Sequence, residues 1–168
     1  MELLEALQRR RSVRRFTEEA VSKKDIDILM HAAMSGPSAC NARPWDFYVV
    51  ESKTVLQNLH KATKYSDISA PLAIVVCGNL SHALPAPLND FWVQDCSAAT
   101  ENILLAATDI GLGAVWCGIY PNRDAMENVK KTLGLPEESI PLNIIHVGHP
   151  DQFPEPRDQY DEKRVHLI

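Results

Sequence analysis

Apolar positions along this chain switch between two periods, one of helices and one of strands. Leu3, Leu4 and Leu7 recur at helical spacing ahead of a basic run, which predicts a short helix from Glu2 to about Arg10. A second helix opens with Ser22 as N-cap and Asp25 as its reciprocal partner; Ile26, Leu29, Met30 and Ala33 line one face, and Gly36-Pro37 stops it. Segment 45–50, WDFYVV, has the aromatic and β-branched content of a strand. Ser52 stands where it would cap a helix bearing Val55, Leu56 and Leu59, and after Pro71 the run LAIVVC has the length of a buried strand. The longest helical pattern runs from about Asn89 to Ile110, with Val93, Cys96, Ala99, Ile103, Leu104 and Ala107 on one broad face and Gly111 at its end. Little charge in its second half predicts burial, at the domain centre or at a subunit interface. Gly113 to Ile119 reads as a third strand, Asn122 caps a helix with Met126, Val129 and Leu133 that ends at Gly134, and Leu142 to Val147 reads as a fourth strand.

Strands alternating with helices predict a sheet covered on both faces, a three-layer α–β–α sandwich, though strand order and direction are not readable from the pattern. A chain of 168 residues, 45% of them hydrophobic, supports one core rather than two, so residues 1–168 are expected to form a single domain. After Pro150 the chain becomes polar and proline-punctuated; 151–168 cannot build a core and is expected to be disordered or laid on something else.

Charge and cysteines narrow the function. A formal net charge of −5 argues against general nucleic-acid or anionic-membrane affinity, which needs an excess of Lys and Arg. No run is long and apolar enough to span a bilayer, and MELLEALQRRR has its charge on the wrong side for a signal peptide, so a cytoplasmic chain with nothing cleaved is expected. Cys40, Cys77, Cys96 and Cys117 are scattered without zinc spacing, pointing to reduced, mostly buried thiols and no metal site. His146 and His149 are poorly spaced to share a metal.

Three clusters can carry chemistry. In RRRSVRRF, Arg9, Arg10, Arg11, Arg14 and Arg15 place five of the chain's nine arginines within seven positions. Arginine forks with Ser12 between them suit a phosphate monoester; the competing reading is a solvated turn paired with Glu18, Glu19 and other surface acids. In GPSACNARPWDF, Ser38 and Asn41 offer donors and acceptors on a loop stiffened by Pro37 and Pro44, although turns use these residues anyway. In GLGAVWCGIYP, Gly118 would admit a planar ligand close to the backbone, with the amides of Cys117 and Gly118 as donors. No G-x-G-x-x-G, Walker A or G-x-S-x-G motif is present, and Cys117 lacks an activating base.

Taken in order, the RRSVR run, the PSxxNxxPW loop, the long helix ending GLGAVW and the closing KRVH make the chain resemble the FMN-dependent nitroreductase family over essentially its whole length. The resemblance implies an α–β–α fold with a central mixed sheet, a homodimer with FMN at the subunit interface, and no protein catalytic residue, the flavin carrying the redox chemistry. It maps phosphate binding onto Arg10, Arg11, Ser12 and Arg14, the partner-donated loop onto Pro37, Ser38, Ala39 and Asn41, and backbone donors near the flavin ring onto Cys117 and Gly118. Arg164, or else Arg157, matches a C-terminal arginine reaching the phosphate, and the tail 151–168 is expected on the partner subunit. The implied activity is hydride transfer from NADH or NADPH to a small electron-poor acceptor, a nitroaromatic or quinone, by a ping-pong scheme.

Departures bear on the substrate: Arg43 stands where many members have Gln, Ala39 where many have a second serine, and the chain lacks large insertions, which implies an open site. The alternatives are a non-catalytic FMN-binding or flavin-delivery module, a flavin-destroying or dehalogenating relative, and an anion-binding interaction protein.

Overall fold

The computed structural model describes residues 2–168. Its helices are α1 (Leu3–Arg9), α2 (Lys23–Met34), α3 (Lys53–Leu59), α4 (Phe91–Asp109) and α5 (Arg123–Leu133); its strands are β1 (Trp45–Val50), β2 (Leu72–Asn79), β3 (Gly113–Gly118) and β4 (Ser139–Gly148). The strands form one sheet in the order β1-β2-β4-β3, and every pairing is antiparallel. The named strands therefore make an antiparallel sheet rather than the mixed one implied by the resemblance; parallel character is confined to an isolated bridge between Ser12 and Ala114, on the outer edge of β3.

The three layers follow from the period of two in the strands. Leu72, Ile74 and Val76 of β2 face one cluster, where Ile145 and Val147 meet Leu29 and Ala33 of α2 and Cys96, Ala99 and Ile103 of α4. Their neighbours Ala73, Val75 and Cys77 face the other, where Val115, Cys117 and Ile144 meet Leu56 and Leu59 of α3 and Val129 of α5. The predicted centrality of the long helix holds, because α4 packs on α2 and on the sheet together.

Local signals explain most boundaries. The Ser22 Oγ accepts from the Asp25 amide at 3.1 Å and donates to the Asp25 carboxylate at 2.7 Å, Asn122 caps α5 through the Ala125 amide at 3.1 Å, and Gly134 closes α5 with φ 62°. Ser52 precedes α3 but its side chain makes no capping bond, and nothing in the structure explains why. Strand β4 begins at Ser139, three positions before the predicted Leu142, because Pro141 is absorbed at a register shift opposite Val76 and Cys77. Gly36 does not end α2 by a left-handed turn; a Cβ there would sit 3.3 Å from the Ala99 amide nitrogen, so its role is close approach to α4.

Beyond Pro150 the chain covers no core. Phe153 is 83% exposed and Leu167 97%, and on α1 Leu3 and Leu4 are exposed as well. No helix among the described residues is long and apolar enough to cross a membrane.

Candidate functional site

The arginine run leaves α1 and reaches the outer edge of β3, where Ser12 bridges Ala114 and the Val13 amide donates to the Ala114 carbonyl at 3.0 Å. That bond fixes which backbone groups face outward. Residues of a strand alternate their N–H and C=O between its two edges, so with Ala114 turned out, Trp116 and Gly118 also point out, while Cys117 points toward β4. Past Ala114, no backbone hydrogen bond is made on this edge among the described residues. The expectation of donors at both Cys117 and Gly118 is thus narrowed by geometry: the free amide is that of Gly118. A Cβ built on Gly118 would meet nothing within 4 Å, so this end of the edge opens onto space.

The arginines line the same edge but are engaged differently. Arg10 pairs with Glu101 of α4 at 3.4 Å, and its side chain is 33% exposed. Arg11 donates to the Glu155 carbonyl, tying the start of the tail to the run. Arg9 pairs with Glu5 at 2.9 Å, within α1. These pairings use Glu5 and Glu101, both partly exposed, rather than Glu18 or Glu19, so pairing with surface acids, as a solvated turn would show, is part of the arrangement. Arg14 is exposed, and its cation lies near enough to Cys117 to pull the thiol's pKa down, against the stronger effect of burial, which leaves it raised to about 11. Arg11, Val13, Gly113 and residues of 150–156 enclose a cleft of about 490 Å³ beside the run.

Cys117 is 3% exposed and donates its thiol to the Tyr65 carbonyl at 3.1 Å. This contact brings in a segment the sequence analysis missed, the turn between α3 and β2. Buried Ser66 organises it, accepting from the Thr63 amide at 2.9 Å and donating among the carbonyls of Leu59, His60 and Thr63. Lys61 and Lys64 project from it around an open depression of about 680 Å³. The only hint in the sequence was two lysines flanking an otherwise featureless polar stretch.

Loop 36–44 is built from α4. The Ala39 amide donates to Asp95 Oδ1 at 2.9 Å, the Arg43 amide to Ser38 Oγ at 3.0 Å, and the Asn41 amide to the Ser38 carbonyl at 2.9 Å. Cys40, Asn41 and Arg43 all have positive φ, and Pro37, Cys40, Asn41 and Arg43 are exposed. The loop leads into Trp45, which pairs with Gly78, whereas Ser12 lies beside Ala114, in the row of Val147 and Leu72. The two clusters therefore occupy diagonally opposite corners of the sheet, about 19 Å apart across four strand spacings and about 20 Å apart along the strands. One chain does not bring them together.

Arg164 sits in a short 3-10 turn, 86% exposed, with its Nε 3.3 Å from Asp161, and Arg157 is exposed. The cysteines are all free, Cys40 exposed and the other three buried. Among the described residues no group of three His, Cys, Asp or Glu side chains is placed to hold a metal ion.

Comparison with known proteins adds an independent line. The sequence profile described as Nitroreductase family matches residues 7–73 and 58–149. A protein of Methanothermobacter thermautotrophicus, provisionally named NADH dehydrogenase/NAD(P)H nitroreductase, is 43% identical over 170 residues, covering 99% of this chain and 87% of its own. A crystal structure under the same provisional name from Parabacteroides distasonis superposes with a TM-score of 0.93 at 38% identity, covering 98% of this chain and 96% of the other. A provisionally assigned nitroreductase from Desulfovibrio desulfuricans, solved in complex with FMN, superposes with a TM-score of 0.84 at 27% identity, covering 100% and 97%.

Proposed function

The chain belongs to the nitroreductase family, and from that premise we propose that it is an FMN-dependent oxidoreductase taking hydride from NADH or NADPH and passing it to an electron-poor acceptor, in a ping-pong sequence. Nitroaromatics and quinones are the acceptor classes. FMN, when bound, supplies the hydride chemistry; the chain supplies binding, orientation and exclusion of water, which accounts for the missing catalytic acid.

The observation that carries this reading is the free edge of β3. It has cations and Ser12 at one end and, four residues along, exposed Gly118, whose outward amide makes no backbone hydrogen bond and whose Cβ side is open. Such an edge fits an extended ligand with an anion at one end and a planar ring at the other. Arg10 and Arg14 would hold the phosphate through charge-assisted bonds, with Arg11 and the Ser12 hydroxyl beside them. Gly118 would donate to the ring edge, and Cys117 would form a neutral wall beneath it. The FMN complex of the Desulfovibrio desulfuricans relative supports the choice of cofactor.

The diagonal separation within one chain favours a site completed by a second copy. Pro37, Ser38, Ala39 and Asn41 of one chain would face the flavin held mainly by the other, and the tail, with Arg164 or Arg157, would cross over as well. Exposed apolar residues on α1 and on the tail supply surface for that assembly.

An anaerobic visible spectrum of the purified protein, before and after NADH and then NADPH, tests the proposal. Flavin bands that bleach are expected. Bands that persist with both donors would leave a binding module without turnover, and a colourless protein that takes up no added FMN would overturn the reading.

A further inference from the structure

In loop 36–44, Cys40, Asn41 and Arg43 have φ of 51°, 54° and 51°, the three positive-φ non-glycine residues among those described. A backbone of this kind persists only where its surroundings over-determine it. Bonds inside the loop close it on itself: Arg43 to Ser38, Asn41 to Ser38, Ala42 to Ala39. They do not orient it on the body. Its end is held where the Pro44 carbonyl accepts from the Asn79 amide of β2 at 2.8 Å, and its middle by Asp95, whose carboxylate reaches from α4 to the Ala39 amide at 2.9 Å.

Asp95 is an unusual residue to find there. It is 6% exposed, lies on the same helical arc as Trp92, Cys96 and Ala99, and has no salt-bridge partner among the described residues. Burying an unpaired carboxylate opposes folding, so an apolar residue would be the default on that arc. What the carboxylate gains is a strong acceptor aimed at one loop amide.

We infer that Asp95 is a positioning residue: through its hydrogen bond to the Ala39 amide it fixes loop 36–44 in the conformation that presents Ser38 and Asn41 to FMN bound in the partner subunit. The inference rests on the FMN reading above. Asp95 acts through the loop and does not itself touch the cofactor.

The experiment uses the whole 168-residue chain as purified, FMN titration and amide hydrogen exchange at Ala39, on wild type, Asp95→Ala, Asp95→Asn and Asp95→Glu. Asparagine keeps an acceptor oxygen at the same reach and should retain near-wild-type FMN affinity with a protected Ala39 amide. Alanine should lose about tenfold in affinity and release the amide to exchange. Glutamate keeps the charge but displaces the acceptor by one methylene, so it should bind FMN more weakly than the asparagine variant. A role exerted through charge alone would reverse that order and overturn the inference; the Asn–Glu comparison stands even where Asp95→Ala fails to fold. Unchanged FMN affinity and exchange in Asp95→Ala, with wild type binding FMN, would overturn the inference alone. A wild-type protein with no FMN affinity would overturn the functional reading and the inference with it.

Discussion

Arg10 and Glu101 meet at 3.4 Å across the contact between the arginine run and α4, so the guanidinium proposed for the phosphate has a carboxylate partner within its own chain. The pair is partly exposed, and such pairs contribute about 0.2–1 kcal/mol. A phosphate competes with Glu101 for the same donors and, with more charge, should win.

Two opposite shifts are expected from that competition. Arg10→Ala and Arg14→Ala should each weaken FMN binding by about 1.5–3 kcal/mol, the range for hydrogen bonds to charged groups. Glu101→Gln should tighten it by no more than about fivefold, because only the exposed competitor is removed. Fluorescence titration of apo-protein with FMN checks both; a Glu101→Gln protein that binds more weakly would show that Glu101 orients Arg10 rather than competing with the ligand.

Glycine substitutions should separate scaffold from site. At Gly78 a Cβ would lie 2.2 Å from Trp92, so Gly78→Ala should lower stability by about 1–3 kcal/mol, as overpacked cores do. At Gly118 a Cβ meets nothing, so Gly118→Ala should melt close to wild type while losing FMN affinity or slowing bleaching by NAD(P)H. Thermal melts of the two apo-proteins, followed by FMN titration, report on each half of this expectation.

Much of the scaffold was legible because its signals are local. Ser22, Asn122 and Gly134 announce helix ends by chemistry that needs no tertiary context, and the apolar arc of α4 announces a central helix. Strand order was not legible, since it depends on pairings such as Leu72 with Val147 that are far apart in the chain. The start of β4 was misplaced because proline argues against a strand unless a register shift accommodates it, and the shift is a property of β2 as much as of Pro141. At the site, the arginine run and the Gly118 segment stood out, but the Tyr65 turn did not, because its organiser, Ser66, acts through carbonyls that a sequence does not display. Asp95 carried a readable signal that went unused: a single carboxylate among apolar residues at helical spacing.

Thiol reactivity should divide the four cysteines sharply. Burial pushes Cys96 up to about 12 and Cys117 up to about 11, and Cys77 higher still, while Cys40 is exposed. Alkylation of the native protein at mildly alkaline pH, read by mass spectrometry of peptides, should modify Cys40 alone, the thiolate being the reactive form. Rapid labelling of Cys117 would mean that the wall beneath the proposed ring site opens in solution.

His146 predicts a pH dependence of stability. It is fully buried, edge-on to His60 with ring centroids 5.8 Å apart, and burial, reinforced by His60, holds its pKa down to about 4. The folded protein therefore resists a proton that the unfolded chain accepts near 6.5, so this contribution is complete above about pH 6.5 and is lost as pH falls toward 4. The loss should approach about 3 kcal/mol over that window. Urea midpoints at pH 7 and pH 5 should differ more for wild type than for His146→Gln; equal differences would assign the acid sensitivity elsewhere.

The diagonal placement of the arginine run and loop 36–44 has a further consequence, for concentration. If each ligand site draws one corner from each of two chains, occupancy and association become a single coupled equilibrium governed by mass action. Dilution would then release flavin without any damage to either chain, and flavin would in turn hold together subunits that separate without it. A preparation's colour would report how much of the protein is assembled.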